Sequence, residues 1–263
     1  PFFNAINLTQ STESLAGIAL LPKQITISNG TDTDHDIDLT AGNFQFADGS
    51  GQAVFAAITK RIDAVWTAGN TFGGLDVTGL TGDTTYHMYP VYNPTTGVSD
   101  AIFSLSSTSP TMTLPNAAGF TVVGKRIAAL VTDGSSNIRN GDYVFYNDRS
   151  YKFNYLAAGI LDVSKSITTT GSAEPLTVPP NTQAILQSDF ILTNSGDTLT
   201  IYKGDSASNS VQSINTFTSD AVNVKSSVIA IVSVDDNSEA FFKMSVTTRS
   251  VSASAIGWID NNL

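Results

Sequence analysis

The densest group of side chains that could do chemistry is the acidic segment from Asp32 to Asp38, which reads Asp-Thr-Asp-His-Asp-Ile-Asp. If this segment were extended, its alternate carboxylates would line one face and offer the oxygen ligands that hard cations prefer. The segment lacks the glycine at the sixth position and the distal glutamate of an EF-hand loop. We therefore predict a solvated turn in which Asp32 or Asp34 accepts hydrogen bonds from nearby amides, and a cation site stays open as the alternative.

A second candidate is Gly204-Asp205-Ser206, which matches the nucleophile block of a family of esterases. The acidic segment supplies an Asp-x-x-His, from Asp32 to His35, but it precedes the Gly-Asp-Ser block, whereas in those enzymes it follows. Those enzymes are also α/β proteins, and this sequence shows no βαβ alternation. We predict that Gly204-Asp205-Ser206 is a turn after a strand at 199–202.

The remaining ionisable candidates have no partner close in sequence. His87 lies between Tyr86 and Met88 in a predicted strand, and the alternation of a strand puts it on the face opposite to both. We predict a structural or rim role for His87, because one isolated imidazole forms no triad. Asp235-Asp236-Asn237 is predicted to be a hairpin turn. We assign no catalytic, cofactor-binding or metal-ligating residue and expect no cofactor. Spacing alone does not exclude a carboxylate pair that hydrolyses polysaccharide.

The aromatic residues predict cores and contact surfaces. Trp66 is predicted to pack in a first core while its indole N–H finds a carbonyl, with a sugar-stacking platform as the alternative. Trp258 is predicted to share a core face with Ile256. Segment 143–155 is the most aromatic stretch and carries rings on both faces, which predicts packing between layers or subunits, or an aromatic surface for protein partners or glycans.

The elements that must position these residues are strands. Only three of the 23 acidic residues are Glu (Glu13, Glu174 and Glu239), and Asp favours turns and caps over helix interiors. Ser and Thr are abundant, as in all-β proteins with many short strands. Gly73-Gly74 is predicted to supply positive φ values for a tight turn. Segment 50–66 fits either a helix or a strand, and we leave both open.

Alternating segments bounded by turn residues recur along the whole chain. They lie at 25–27, 36–39, 85–89, 99–105, 120–132, 143–155, 183–193, 197–202, 221–234, 240–247 and 251–259. A polar stretch at 157–180 separates two groups of them. We predict an all-β protein with two antiparallel β domains of the β-sandwich or jelly-roll type, at 25–157 and 158–263. Residues 1–24 are predicted to be a short docking arm that carries a two-turn helix.

Charge and composition exclude several classes of function. A formal net charge of −10, with scattered basic residues, argues against nucleic-acid binding. The absence of cysteine excludes disulfides, thiolate metal sites and cysteine nucleophiles. No apolar run reaches the roughly 18 residues of a membrane span, and the N-terminus lacks a signal-peptide pattern, so we expect no membrane insertion. The charged fraction of 14% is low and suits a particle component or an oligomer that hides much of its surface.

A series of short strings, in order, resembles a module of tailed-bacteriophage virion proteins. The strings are Asp63-Ala64-Val65-Trp66, Gly73-Gly74-Leu75-Asp76, Thr85-Tyr86-His87, Gly97-Val98-Ser99-Asp100-Ala101-Ile102-Phe103-Ser104, Lys125-Arg126-Ile127, Asp133-Gly134-Ser135-Ser136-Asn137-Ile138 and Ala255-Ile256-Gly257-Trp258-Ile259-Asp260. The last string resembles the ending that such chains carry after a C-terminal β-sandwich. The resemblance covers roughly residues 25–155 and the last strand, and it brings no catalytic residues.

The resemblance implies a non-catalytic structural component of a phage particle, such as a fibre, tail or head-decoration subunit. It implies a homotrimer that packs through β-domain interfaces, touches other virion proteins through the arm at 1–24, and is located in the virion after assembly in the host cytoplasm. Contact with a host cell-surface glycan is a further expectation. The alternative is a virion-associated protein that binds or degrades polysaccharide.

Overall fold

The computed structural model describes residues 25–147, 150–155, 159–192, 197–203, 215–218, 224–245 and 248–260. The regular secondary structure of the described chain is β-strand apart from one short helix, α1 (Thr113–Ala117), so the predicted all-β class is confirmed. In these residues no helix has the length and apolar character needed to cross a membrane. The arm predicted at 1–24 and the turn predicted at Gly204-Asp205-Ser206 lie outside the described residues.

The first part of the chain forms one eight-stranded sheet with a separate two-stranded hairpin. The sheet consists of β1 (Ile27–Asn29), β2 (Asp36–Leu39), β5 (Ile58–Val65), β6 (Gly73–Leu75), β7 (Thr85–Asn93), β8 (Val98–Ser104), β9 (Val122–Val123) and β10 (Ala128–Val131), and the hairpin of β3 (Gly42–Gln45) and β4 (Gln52–Phe55). The strand order is β1-β2-β5-β6-β8-β7-β10, with β9 beside β7. The prediction for this part was antiparallel throughout, but β6 pairs in parallel with both β5 and β8.

This first sheet has a core on each face. One face packs against the hairpin, where Phe44 and Phe55 meet Tyr86, Met88 and other buried side chains of the sheet. The opposite face carries a smaller cluster that includes Trp66, Tyr89 and Phe120. Because both faces are covered, β7 is buried at nearly every position.

Segment 50–66 is strand, so the strand alternative is confirmed and the helical one is wrong. In β5, Lys60 and Ile62 point to the buried side while Arg61 and Asp63 are exposed, which is the period of two of a strand. The helical spacing of the apolar residues arises by chance, because Val54 belongs to β4 and is exposed.

The predicted turn at Gly73-Gly74 is also wrong. Both glycines lie in β6, are buried, and are absent from the residues with positive φ. A Cβ at Gly73 would lie 2.2 Å from the Val65 carbonyl oxygen, and one at Gly74 would lie 2.7 Å from the Phe103 ring. These positions need glycine because β5 and β8 approach β6 too closely for any side chain.

The later part of the chain forms two facing antiparallel sheets. Their strands are β13 (Ile160–Ile167), β14 (Ser172–Pro175), β15 (Gln183–Leu192), β16 (Thr198–Lys203), β17 (Asn215–Thr218), β18 (Val224–Ser233), β19 (Glu239–Met244) and β20 (Arg249–Asp260). The front sheet has the order β13-β20-β15-β18, and the rear sheet has the order β14-β19-β16-β17. This order, with its crossings between the sheets, is the jelly-roll topology. Residues of both sheets fill one shared core, among them Leu186 and Trp258 in front and Leu199 and Phe242 behind.

A further hairpin extends the front sheet. β11 (Gly141–Asn147) and β12 (Ser150–Tyr155) pair with each other, and β12 pairs with the second half of β20. β13 pairs with the first half of β20, so β12 and β13 lie end to end along the same side of that strand. The strands β11 and β12 thus share a sheet with β20, and the boundary at 157/158 stays a prediction.

A β-bulge changes the predicted alternation near the end of β20. Ile185 pairs with Gly257 while the next residue, Leu186, pairs with Ala255, so Ile256 is the extra residue. Ala255 and Trp258 therefore share the core side, and Ile256 is only part-buried. The predicted core position of Trp258 is confirmed, but the prediction that Ile256 shares its face is wrong.

Candidate functional site

The acidic segment at 32–38 forms a turn that leads into β2. Asp32 accepts hydrogen bonds from the amide of Asp34 (3.1 Å) and pairs with the His35 ring nitrogen Nδ1 (3.1 Å). The hydrogen bond from His35 lowers the pKa of Asp32. Asp38 accepts a hydrogen bond from the Thr59 hydroxyl on the neighbouring strand. The predicted turn with Asp32 bonding local amides is confirmed.

No group of three or more His, Asp or Glu side chains in the described part of the chain is placed to hold a metal ion. Asp235-Asp236-Asn237 is a turn, because the Asp235 carboxylate accepts hydrogen bonds from the amides of Asn237 and Glu239. The predicted hairpin is wrong, since this turn connects β18 of the front sheet to β19 of the rear sheet.

His87 has partners that sequence reasoning missed. The Arg126 guanidinium lies 3.0 Å from His87 Nδ1 through Nη1 and donates to Asp260 Oδ1 at 2.8 Å through Nη2. Because guanidinium only donates, Nδ1 accepts and the proton of the neutral ring is on Nε2. Burial, together with the positive charge of Arg126, lowers the pKa of His87 to about 4.

This His87–Arg126–Asp260 cluster joins the two parts of the chain. His87 is on β7, Arg126 lies in the connection from β9 to β10, and Asp260 is the last residue of β20. All three are buried.

The arrangement cannot activate a nucleophile, since the imidazole nitrogen that would accept a proton faces a cation. Its effect is to fix the end of the jelly roll against the first sheet. The adjacent Lys125-Arg126 was the available signal, but Asp260 is 134 residues away from Arg126.

A second buried pair, Lys60 and Asp100, lies inside the first sheet. Lys60 Nζ is 3.1 Å from Asp100 Oδ1 and also donates to the carbonyl oxygens of Thr67 (2.8 Å) and Gly69 (3.3 Å). The Asp100 carboxylate accepts hydrogen bonds from the amides of Gly69 and Ala101. Burial lowers the pKa of Lys60 and raises the pKa of Asp100, while each charge opposes the shift of the other. Every Lys60 N–H has an acceptor, so the pair is a structural ion pair.

Trp66 packs beside this pair. Its indole N–H donates to the Ala101 carbonyl at 3.0 Å, and Lys60 Nζ lies 5.6 Å from its ring centroid. The predicted core position and carbonyl partner of Trp66 are confirmed. The sugar-stacking alternative is wrong, because the side chain is buried.

The aromatic stretch contributes to the jelly-roll core through its described end. Phe153 stacks on Trp258 with ring centroids 4.0 Å apart, and Tyr155 meets both rings edge-on. Burial raises the pKa of Tyr155, whose hydroxyl donates to the Thr177 carbonyl. The side chains of residues 142–151 lie outside the description, so the predicted role of that segment in subunit packing stays a prediction.

The outer face of the front sheet carries exposed aliphatic side chains. Ile229 on β18 is 67% exposed, Leu161 on β13 is 59% exposed, and Ile231 on β18 is 44% exposed. Register places Ile229, Gln187, Ser254 and Leu161 in one row across the four strands β18, β15, β20 and β13. The next row on that face toward Ser227 contains Asp189 and Ser252. Among the described side chains of these rows, Asp189 is the one ionisable group.

No model of a known protein family matches the chain, and no curated protein sequence matches it. Among solved structures, the chain is similar to one from infectious bursal disease virus, Gx strain, at 11% sequence identity and a TM-score of 0.23. The match covers 95% of this chain and 74% of that one. A likeness this remote carries no argument about the function of this chain.

Proposed function

We propose that this chain is a non-catalytic structural component of a bacteriophage particle, as a fibre, tail or head-decoration subunit that assembles through interfaces between β domains. The observation that carries the proposal is the architecture. A complete jelly roll is joined to a second β-sheet by a buried ion pair, which makes a rigid building unit. Jelly rolls occur in capsid and lectin domains and in cupins, so the fold alone does not choose among these functions.

Two observations favour assembly over catalysis. The interior of this jelly roll is filled by apolar side chains, whereas a cupin-type enzyme would hold a metal there. Two buried charged clusters, around Lys60 and around Arg126, are used to join strands. A partner would therefore bind to the outer surface of the molecule, and part of that surface is aliphatic.

In the proposed particle the arm at 1–24 attaches the subunit to other virion proteins, and the jelly roll projects or packs against its copies. Three copies around an axis would cover strand edges that otherwise invite uncontrolled pairing. The subunit would be found in the virion after assembly in the host cytoplasm.

The first test is the molar mass in solution. Size-exclusion chromatography with light scattering, at micromolar concentration and neutral pH, is expected to give the mass of a trimer, three times the 27.7 kDa of one chain. A monomer would contradict the proposal. Immunogold labelling of purified particles with an antibody against this chain is expected to mark each particle, and unlabelled particles would also contradict it.

A second candidate function is glycan binding, favoured by one feature of the rear sheet. Tyr202 and Phe241 pair across β16 and β19, with ring centroids 4.8 Å apart, on the side away from the core. Tyr202 is part-exposed, and aromatic rings on a surface can stack on sugars. Calorimetric titration with host capsule or lipopolysaccharide tests this, with Tyr202→Ala as the variant that should lose binding. A reducing-end assay on the same mixtures tests for hydrolysis.

A further inference from the structure

We propose that copies of this chain associate with one another through the outer face of the front sheet, centred on Ile229, Ile231 and Leu161. This inference rests on the proposed function and deepens it, because it names the surface and the partner. The face runs across β18, β15, β20 and β13, and its central row reads Ile229, Gln187, Ser254 and Leu161.

Exposure is the first argument. A folded chain in water rarely leaves several large aliphatic side chains open on one face without a partner. Three of the nine large hydrophobic residues that are exposed in the described chain lie on this face. Ile231 pairs with Ile185 on β15, which is buried, so the exposed apolar surface is centred on Ile229, Ile231 and Leu161.

The charge distribution indicates which partner fits. Each chain carries a formal net charge of −10, so two copies repel each other over most of their surfaces. The central row of this face contains no ionisable side chain, and Asp189 lies in the row beyond it. Two copies can therefore meet here with little like-charge repulsion. A nucleic acid or an anionic surface would need basic groups, which the described side chains of these rows lack, and a basic protein would find only Asp189.

The chemistry of the face also argues against a sugar ligand. Its described rows hold aliphatic, hydroxyl and amide side chains and the Asp189 carboxylate, but no aromatic ring. Rows of Ile, Gln and Ser side chains can instead pack against the face of another β-sheet, because two sheet faces pack by interdigitating their side chains.

The size of the face sets how much surface two copies can bury there. Four strands about 4.8 Å apart and eight residues at about 3.3 Å cover on the order of 500 Å² in projection. Standard interfaces bury about 800 Å² of accessible surface per partner, so a contact confined to this face is at the small end of specific interfaces.

The test compares two surfaces of one protein. The double variant Ile229→Asp and Ile231→Asp introduces charges on the proposed face, at exposed positions that the core does not use. The control is Val54→Asp and Val98→Asp, at positions 61% and 51% exposed in β4 and β8 of the first part of the chain. Light scattering measures the mass of each, and circular dichroism checks that each stays folded.

We expect the wild type and the control to remain oligomeric and the Ile229/Ile231 variant to become monomeric with an unchanged β spectrum. If that variant unfolds, the milder Ile229→Thr, which keeps β-branching, is expected to raise the dissociation constant of self-association at least tenfold. An oligomer that survives both changes overturns the proposed surface and leaves the proposed function intact. A monomeric wild type overturns the proposed function together with it.

Discussion

Arg126 donates from one guanidinium to two buried groups that belong to different parts of the chain, His87 and Asp260. A buried cation of this kind is tolerated only because its acceptors are fixed in place. His87 contributes by staying neutral, since protonation would place two positive charges about one hydrogen bond apart.

The depressed pKa of His87 predicts a loss of stability in acid. In the unfolded chain the imidazole gains its proton near its ordinary pKa of 6.5, whereas in the folded chain it does so only near 4. Stability from this group is therefore full above about pH 6.5 and is lost as the pH falls toward 4. The expected loss is about 3 kcal/mol in the free energy of unfolding, at about 1.4 kcal/mol per unit of pKa.

Urea unfolding at pH 7 and pH 4 measures this effect against the variant His87→Gln. The Gln carbonyl can still accept from Arg126 but does not titrate, so the variant should lose less stability on acidification than the wild type. An equal loss in both proteins would show that His87 is not the cause.

The Lys60–Asp100 pair predicts strong coupling between two residues on non-adjacent strands. Lys60→Met leaves the Asp100 carboxylate buried without its cation, and we expect a cost of about 3–5 kcal/mol in stability. The double variant Lys60→Met with Asp100→Asn should cost less than the sum of the single changes, because it removes both charges. Urea unfolding of the four proteins gives the coupling energy.

The neighbouring Arg61→Met is the matched control, since Arg61 pairs with Asp63 at the exposed surface and should change stability little. Additive losses at Lys60 and Asp100 would contradict the buried pair.

The buried ion pairs of Lys60 and Arg126 show where residue-level prediction stopped. Lys60 was not predicted to face inward, because segment 50–66 fitted a helix as well as a strand, and nothing near it in sequence indicates Asp100. Trp66 was predictable because a buried indole needs an acceptor, whereas the identity of that acceptor, Ala101, depends on the fold. Long-range ion pairs are set by topology, which one sequence does not state.

At the scale of elements, the close contact between β20 and β12 predicts an intolerance to side chains at Gly257. A methyl group there would lie 2.1 Å from the Phe153 carbonyl oxygen, which is backbone and cannot turn aside. We expect Gly257→Ala to cost about 1–3 kcal/mol by forcing the two strands apart. Ser252→Ala, on the outer face of the same strand, is the control and should be nearly neutral. Thermal unfolding measures the melting temperatures of both variants. An unchanged melting temperature for Gly257→Ala would contradict the close strand contact.

Most strands were predictable because each has one covered face and therefore a period of two. The polar stretch at 157–180 was not read as strands, yet it contains β13 and β14. The buried positions of β13 that face the core are Val163 and Ile167. The apolar pattern between them is interrupted by Ser164, Lys165 and Ser166. An edge strand needs few apolar residues, so its sequence signal is weak. The parallel pairing of β6 and the bulge at Ile256 were equally hidden, since both depend on neighbours far along the chain.

At the scale of the whole molecule, the charge of −10 and the sheet face with its uncharged central row predict how salt affects assembly. Raising the ionic strength from 0.01 M to 0.15 M shortens the screening length from about 30 Å to about 8 Å. Repulsion between the acidic copies then falls, while the aliphatic contact is unaffected. We expect self-association to strengthen with salt, as measured by sedimentation velocity. An assembly that weakens with salt would indicate an interface built on ion pairs.

The position of β20 has a consequence for how the chain is made. This strand pairs with β12, β13 and β15 at once, yet it is the last strand of the jelly roll to leave the ribosome. At about 5–20 residues per second, β13 waits roughly 4–20 s for the strand that completes its sheet. During that interval a nascent chain keeps half a core open to solvent, so its yield should depend on chaperones more than its final stability suggests.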